Sequence, residues 1–278
     1  MGWNIWEPWL SRKRRLGAAL SIISYIFALG CGTMSNGRGW GQDATLCPGW
    51  EKVGNAALNA AKSPGTWIPA AGALVLQIDN WDHRVSAYAS RNTPIFGSQS
   101  NAVNYSDYFL GASEAVYGLT VLTTPSGDQP GDWLVAKAKG LTVGLAAYGI
   151  TYGTTYGLQL ASHRQRPNNS DYLSFPSSHS SSASVYSSLA ACNLNYIPMP
   201  EAARLAGKIG CTMLSIGTAW ARVEGKMHYP SDVLVGMALG HFIGVFINDA
   251  FLNIDDQSVM ISLEPSRKNV LLSLQVAF

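Results

Sequence analysis

Three separated clusters hold the side chains best suited to chemistry: Arg166-Pro167, then Phe175-Pro176-Ser177-Ser178-His179, then Arg222 followed by His228 and Asp232. Of the five histidines in the chain, three fall in or beside these clusters if His163 is included. In the third cluster the carboxylate follows the imidazole by four residues. That is one helical turn, so Asp232 can hold one ring nitrogen of His228 and leave the other free. An oriented, neutral imidazole of this kind is an activated nucleophile. A plainer reading of the same residues has Ser231-Asp232 capping the helix that runs to Leu252, with His228 idle. The two roles can coexist.

In the second cluster Pro176 suits the first position of a helix, where its missing N–H costs nothing. The N–H groups of Ser177 and Ser178 would then be free to bind, and a helix N-terminus is a ready site for phosphate. His179 stands one residue further on and could protonate a departing alkoxide. Arg166 and Arg222 are permanently charged forks that match non-bridging phosphate oxygens. Phosphoryl transfer needs an in-line nucleophile, charge stabilisation and a proton for the leaving group, and the three clusters together offer all of these. The sequence has no His-Glu-x-x-His, no paired cysteines and no run of alternating carboxylates, so no metal site and no cofactor are expected. Charge neutralisation then falls to the arginines.

The elements that must position these residues are helical. Apolar residues recur at helical spacing over 67–78, 108–122, 133–160, 181–194, 202–220 and 232–252, with Pro, Gly and Asn between the segments. An all-α helical bundle is therefore expected. The segments 141–162 and 233–248 are charge-free, but few candidates approach the roughly 20 strongly apolar residues that a membrane span requires. A compact soluble domain with a very apolar interior is expected over a polytopic membrane protein. The tail alternates apolar and polar residues on either side of 264–269, which suggests a short C-terminal β-hairpin.

Composition sets the wider limits. Charged residues are 13% of the 278 residues and apolar residues 47%, about half the usual charge content. The net charge of +2 and the scattered basic residues give no stripe for a nucleic acid. The one dense basic cluster, Arg12 to Arg15, precedes an apolar run that ends at Gly30-Cys31-Gly32. This is the form of an export signal over residues 1–30. The segment Phe27-Ala28-Leu29-Gly30-Cys31 resembles the lipobox of bacterial lipoproteins, in which Cys31 would be acylated. A plain cleaved signal and an uncleaved anchor helix are the alternatives, and each places the rest of the chain outside the cytoplasm; the expected location is the periplasmic side, with the chain anchored to the bacterial membrane as a lipoprotein. Residues 31–49, rich in Gly, Ser, Asn and Asp, read as a tether. Residues 50–254 read as the catalytic domain and 255–278 as the tail. Cys192 and Cys211 lie in apolar helical patterns and read as buried thiols, while a disulfide is permitted but not implied.

The three clusters resemble the signature of the type-2 phosphatidic acid phosphatase superfamily, which also contains bacterial non-specific acid phosphatases and vanadium haloperoxidases. The resemblance covers Gln159 to Asp232, with helical segments on both sides. It implies the family's all-α fold and a set of roles: His228 attacks phosphorus to form a phosphohistidine, Asp232 orients it, and His179 protonates the leaving oxygen and then activates water. Arg166, Arg222 and the Ser177-Ser178 region would hold the phosphate. The chain departs from the pattern at Gln159, where the family has Lys, at Ser178, where it has Gly, and at Ala221, where it has Ser. If 159–166 were one helix, Gln159, His163 and Arg166 would share a face, and a protonated His163 could replace the missing cation.

The expected function is a metal-independent phosphatase of phosphomonoesters or diphosphates, with lipid-linked substrates favoured. Two other classes share the same residues: a catalytically weak phosphate- or lipid-binding lipoprotein, motivated by Gln159, and a vanadate-dependent haloperoxidase. His83 and His241 read as structural.

Overall fold

The structure is a computed structural model that describes residues 30–254 in full, together with the backbone of two strands in the tail. Eight α-helices are described: α1 (Trp50–Lys62), α2 (Pro64–Val75), α3 (Trp81–Asn92), α4 (Gln99–Thr123), α5 (Pro130–Ser162), α6 (Ser178–Asn193), α7 (Glu201–Glu224) and α8 (Pro230–Phe251). The strands β1 (Met260–Pro265) and β2 (Val270–Gln275) pair antiparallel, Met260 opposite Gln275. The expected bundle and tail hairpin are both present. The export signal falls outside the described residues, Gly30 apart.

Helices α6 and α8 form the centre. Gly236, Gly240 and Gly244 recur every fourth residue on α8 and face α6, where a Cβ would stand 2.7 Å from the Ser177 carbonyl and 2.2 Å from that of Ser181. Only glycine on one helix and small residues on the other permit this approach. Nearly all of α6 is buried, including Ser180, Ser181, Ser184 and Ser188. Their hydroxyls are satisfied internally: Ser181 donates to the Ser178 carbonyl and Ser184 to that of Met237, and Ser188 pairs with His241. Helices α4, α5 and α7 pack around α6, while α1, α2 and α5 pack around α8. The N-termini of α6 and α8 therefore emerge side by side, and the second and third clusters meet there.

Three expectations are corrected. Residues 31–49 are not a free tether: Trp40 is 1% exposed and joins Met34 in the main core, and Gly32 pairs with Gly127. The composition that signals flexibility here supplies turns, and one large aromatic anchors them. Helix α6 begins at Ser178 with Ser177 as its N-cap, so Pro176 precedes the cap and does not open the helix. Finally, the apolar content is not confined to the interior. Trp67, Ile68 and Leu74 on α2, Leu134, Leu145 and Leu160 on α5, and Leu205, Ile209 and Met213 on α7 are all more than half exposed. By length and composition one described helix, α8, could cross a membrane, and half of that stretch is buried at the centre of the bundle.

Candidate active site

The site forms where three connections converge: the 163–177 loop after α5, the start of α6, and the short turn between α7 and α8. Helix α5 ends at Ser162, with His163 in the left-handed region at φ 46°. Gln159 is therefore helical and Arg166 is not, and the face that they were expected to share does not exist. His163 turns outward and stacks on Tyr172, 4.6 Å between centroids and 4° between planes. Gln159 is buried, and its amide nitrogen donates to the Pro176 carbonyl at 2.9 Å and to Ser178 Oγ at 2.8 Å. It braces the second cluster from below.

His228 lies on the turn that enters α8 and is 1% exposed. Its Nδ1 donates to the Ser174 carbonyl at 2.7 Å, and its Nε2 accepts from Arg166 Nη1 at 2.8 Å. A nitrogen that accepts from a guanidinium carries a lone pair, so the ring is neutral with its proton on Nδ1. Burial first, and then the positive charges of Arg166 and Arg222, push the His228 pKa well below its ordinary value of 6.5, against the Ser174 carbonyl. Arg166 is fixed by Asp171, which accepts from Nε at 2.7 Å, and by the Met227 carbonyl at 3.2 Å.

Asp232 is not in hydrogen-bond contact with the imidazole; its Oδ2 lies 3.9 Å from His228 Nδ1. That oxygen accepts from Ser174 Oγ at 2.6 Å and from the Tyr229 amide at 2.8 Å. The carboxylate thus reaches the ring through Ser174, whose carbonyl fixes Nδ1, while also capping α8. Its other oxygen accepts from Arg164 at 2.6 Å. Arg164 continues to Asp82 on α3 at 2.6 Å, and Asp82 also accepts from the amide and hydroxyl of Ser231. Burial raises the Asp232 pKa to about 6, with Arg164 acting in the opposite direction.

Arg222, near the end of α7, is 4% exposed. Its Nη1 donates to Ser106 at 3.3 Å, but its buried Nε has no partner. Burial, with the nearby Arg166 charge, lowers its pKa to about 10. A buried, cationic donor without an acceptor suits an anion that enters the site. His179 faces the same space, and its Nε2 is 3.0 Å from Asp107 on α4. Burial and Arg222 lower the His179 pKa, and Asp107 raises it. Ser177 cannot serve an incoming phosphate as expected: it is fully buried, its amide donates to the Asp232 carbonyl, and its hydroxyl accepts from Ser180. The first amides of α6, those of Ser178 and His179, remain without helical acceptors.

The structure thus brings together His228, Asp232, His179, Arg166 and Arg222, with Ser178 and Gln159 beside them, and leaves His163 outside. Sequence reasoning missed Arg164, Asp82, Asp107, Asp171 and Ser174. Arg164 could have been found from its place two residues before Arg166, whereas Asp82 and Asp107 carry no local signal. Among the described residues, no group of three or more His, Cys, Asp or Glu could hold a metal ion. Cys31 and Cys47 are exposed, Cys211 is buried and Cys192 partly so, and all four are free thiols.

No curated protein sequence matches the chain. Among solved structures, it is similar to one described as the first transmembrane PAP2 type phosphatidylglycerolphosphate phosphatase from Bacillus subtilis. The two are 19% identical, with a TM-score of 0.49, and the match covers 71% of this chain and 94% of that one. Residues 150–254 match the family model of the PAP2 superfamily, and they contain all three clusters. The matched span encloses the stretch from Gln159 to Asp232 on which the resemblance read from the sequence rests.

Proposed function

We propose that the protein is a phosphatase that hydrolyses phosphate esters through a phosphohistidine on His228, with the phosphate charge carried by arginines. The observation that carries this reading is the state of the His228 ring, whose proton is fixed on Nδ1 by the Ser174 carbonyl while Nε2 presents a lone pair beside Arg166. A phosphate entering the site draws Arg166 Nη1 and the unpartnered Arg222 Nε onto its oxygens and frees that lone pair. The amides of Ser178 and His179 at the start of α6 add donors of the same sense.

In the first step the Nε2 lone pair attacks phosphorus, the bond from phosphorus to the leaving oxygen breaks, and that oxygen takes a proton from the His179 imidazolium. In the second step the now neutral His179 removes a proton from water, whose oxygen attacks phosphorus. The P–N bond breaks, the electron pair returns to Nε2, and phosphate leaves. Asp107 supports the cationic form of His179 between the two steps. Asp232 and Arg164 act through Ser174, keeping the carbonyl that holds His228 in place.

The test is phosphate release from phenyl phosphate by the purified protein in chelator, beside His228→Ala. The expected result is chelator-resistant release that disappears in the variant, with a phosphoramidate on His228 found by mass spectrometry after acid-free quenching. Release that persists in His228→Ala would overturn the mechanism.

The same reading extends to location. An exported protein held at the periplasmic face of a membrane, through an acylated Cys31 or an N-terminal helix, fits the exposure of Cys31 and the apolar faces of α2, α5 and α7. Residues 50–254 would then form the catalytic domain, with the Trp40 segment docked on it.

A further inference from the structure

Helix α3 lies outside the span that matches the family model, yet it meets the candidate site through a carboxylate. Asp82, in its first turn, is 2% exposed. Its Oδ1 accepts from the Ser231 amide at 2.8 Å, and its Oδ2 accepts from Ser231 Oγ and from Arg164 Nη2, each at 2.6 Å. The Ser231 amide is one of the N–H groups that the start of α8 leaves without a helical acceptor, so α3 supplies part of the cap of the helix that carries Asp232. Asp232 is itself fully buried and accepts from Arg164 Nη1 at 2.6 Å. The Arg164 guanidinium thus stands between two buried carboxylates, and it also lies 4.3 Å over the centre of the Tyr229 ring. Tyr229 in turn packs against His83, the neighbour of Asp82, with 4.6 Å between ring centroids.

Charge balance alone does not account for Asp82. One guanidinium neutralises one carboxylate, and Asp232 already fills that place, while a second buried carboxylate is costly unless well-placed hydrogen bonds compensate it. What Asp82 adds is direction. Arg164 keeps 26% of its side chain exposed, and with a carboxylate on one side only it could turn toward solvent. Held from both sides, it has one position, and so does the Asp232 oxygen that it grips. The other Asp232 oxygen accepts from Ser174 Oγ, and the Ser174 carbonyl accepts from His228 Nδ1. The backbone before α3 is shaped for this placement. Asp79 and Asn80 are consecutive residues in the left-handed region, at φ 49° and 58°, and the Asp82 amide reaches back to the Leu76 carbonyl at 2.9 Å. Residues other than glycine seldom adopt that region, and they keep it where the surrounding structure demands it. The far end of α3 is fixed separately, by the buried Glu224, whose carboxylate accepts from the amides of Ile95 and Phe96 at 3.1 Å each.

We propose that Asp82 is a positioning residue of the phosphate site, acting through Arg164 and Asp232 on Ser174, so that the proton of His228 stays on Nδ1 and Nε2 keeps its lone pair for the substrate. Its effect on turnover rests on the phosphatase reading above; its effect on the imidazole does not. Residues 150–254 then do not align the nucleophile by themselves, and the helix that completes the alignment comes from upstream of that span.

The test joins two readouts on the full chain: kcat and KM for phenyl phosphate, and the imidazole nitrogen NMR spectrum of isotopically labelled protein, in which the His228 signals are those absent from His228→Ala. Asp82→Asn keeps the shape of the side chain and removes its charge. The parent should show His228 as a single Nδ1–H tautomer. In Asp82→Asn a second population protonated on Nε2 should appear, and kcat should fall about tenfold with KM unchanged, the lower end of the range for losing a residue that orients a reacting side chain through hydrogen bonds. Glu224→Gln loosens the other end of α3 and controls for lost stability: its urea midpoint should fall, while kcat and the tautomer stay those of the parent. Ser231→Ala removes only the hydroxyl between Asp82 and Arg164, so it decides the matter if Asp82→Asn does not fold; kcat should fall roughly threefold, the loss of one hydrogen bond. Parent kcat and a single tautomer in both Asp82→Asn and Ser231→Ala would overturn the inference. So would a Glu224→Gln variant as impaired in kcat as Asp82→Asn, since α3 would then act through the fold alone. Mixed tautomers in Asp82→Asn, with no hydrolysis of phenyl phosphate by the parent, would leave the role of Asp82 standing and remove the phosphatase reading. Hydrolysis by the parent, with the tautomer unmoved in both variants, would do the reverse.

Discussion

Two histidines sit on or beside the central helices, His228 buried and His241 half-buried, and only one has the partners that the proposed chemistry needs. His228 has its Nδ1 on a carbonyl and its Nε2 beside a guanidinium, with a second guanidinium near enough to act on its charge. His241, thirteen residues later, has both nitrogens taken by hydroxyls: Nε2 at 2.7 Å from Ser63 Oγ and Nδ1 at 2.8 Å from Ser188 Oγ. Burial lowers both pKa values, so burial alone does not separate a nucleophile from a strut. The separation comes from the partners. A carbonyl can only accept, so it fixes the tautomer, and a guanidinium can only donate, so it requires a lone pair. A hydroxyl does either, and a ring between two hydroxyls ties α8 to α6 and to the start of α2 without presenting a reactive atom.

That contrast can be broken in order of effect. If the proposed mechanism holds, replacing His228 by Ala should lower kcat by about 10⁴-fold or more, as when covalent catalysts lose their nucleophile; single-turnover kinetics on phenyl phosphate would show it. Arg222→Ala, which removes the buried donor awaiting an acceptor, should cost about 10²- to 10³-fold in kcat/KM, comparable with the loss of one preorganised charge-stabilising donor. Asp232→Asn should lower kcat by roughly 10- to 100-fold with little change in KM, the range seen when a residue that orients a reacting side chain through a hydrogen bond is lost. A KM rise instead would mean that Asp232 supports substrate binding.

The pH profile tests the sign of the electrostatics. In the proposed mechanism His179 carries a proton at the start of the reaction, and its pKa is lowered from 6.5, so kcat/KM should fall as pH rises through that depressed value. The same mechanism needs a neutral His228, whose pKa is pushed well below 6.5, so the rate should hold on the acid side until that value is reached. The result is an optimum in the acid range. Asp107→Asn removes the partner that raises the His179 pKa, and it should shift the alkaline limb to lower pH while the acid limb stays in place. A limb that does not move would exclude His179 as the acid. The smallest effect is expected at the other histidine: His241→Ala leaves two hydroxyls without their partner and should lower stability by about 1–3 kcal/mol, measured by urea unfolding, without displacing either limb.

Helix α3 shows why part of the fold was illegible. Its buried face is Asp82, Ser86, Ala89 and Ser90, helical in spacing but polar, so a search for apolar periodicity passes over it. The long helices α4 to α8 were visible because each carries enough apolar residues at helical spacing, although α5 and α7 direct many of them outward. Gln159 and His163 show the complementary error. Two helical turns of spacing predict a shared face only while the helix continues, and α5 stops at Ser162 because His163 takes a left-handed conformation.

The residue types and order of the three clusters pointed to the signature that the family model matches over residues 150–254, and apolar residues at helical spacing pointed to the helical scaffold, because both are local features of the chain. The tertiary structure decided what depends on contacts between residues far apart in the chain. It routes the support of His228 through Ser174, gives Asp232 to Arg164, links that pair to Asp82 about 80 residues away on α3, and leaves Arg222 Nε without an acceptor. No local pattern encodes such partners, since each hydrogen bond is set by the packing of helices whose mutual positions depend on the glycines of α8 and the serines of α6.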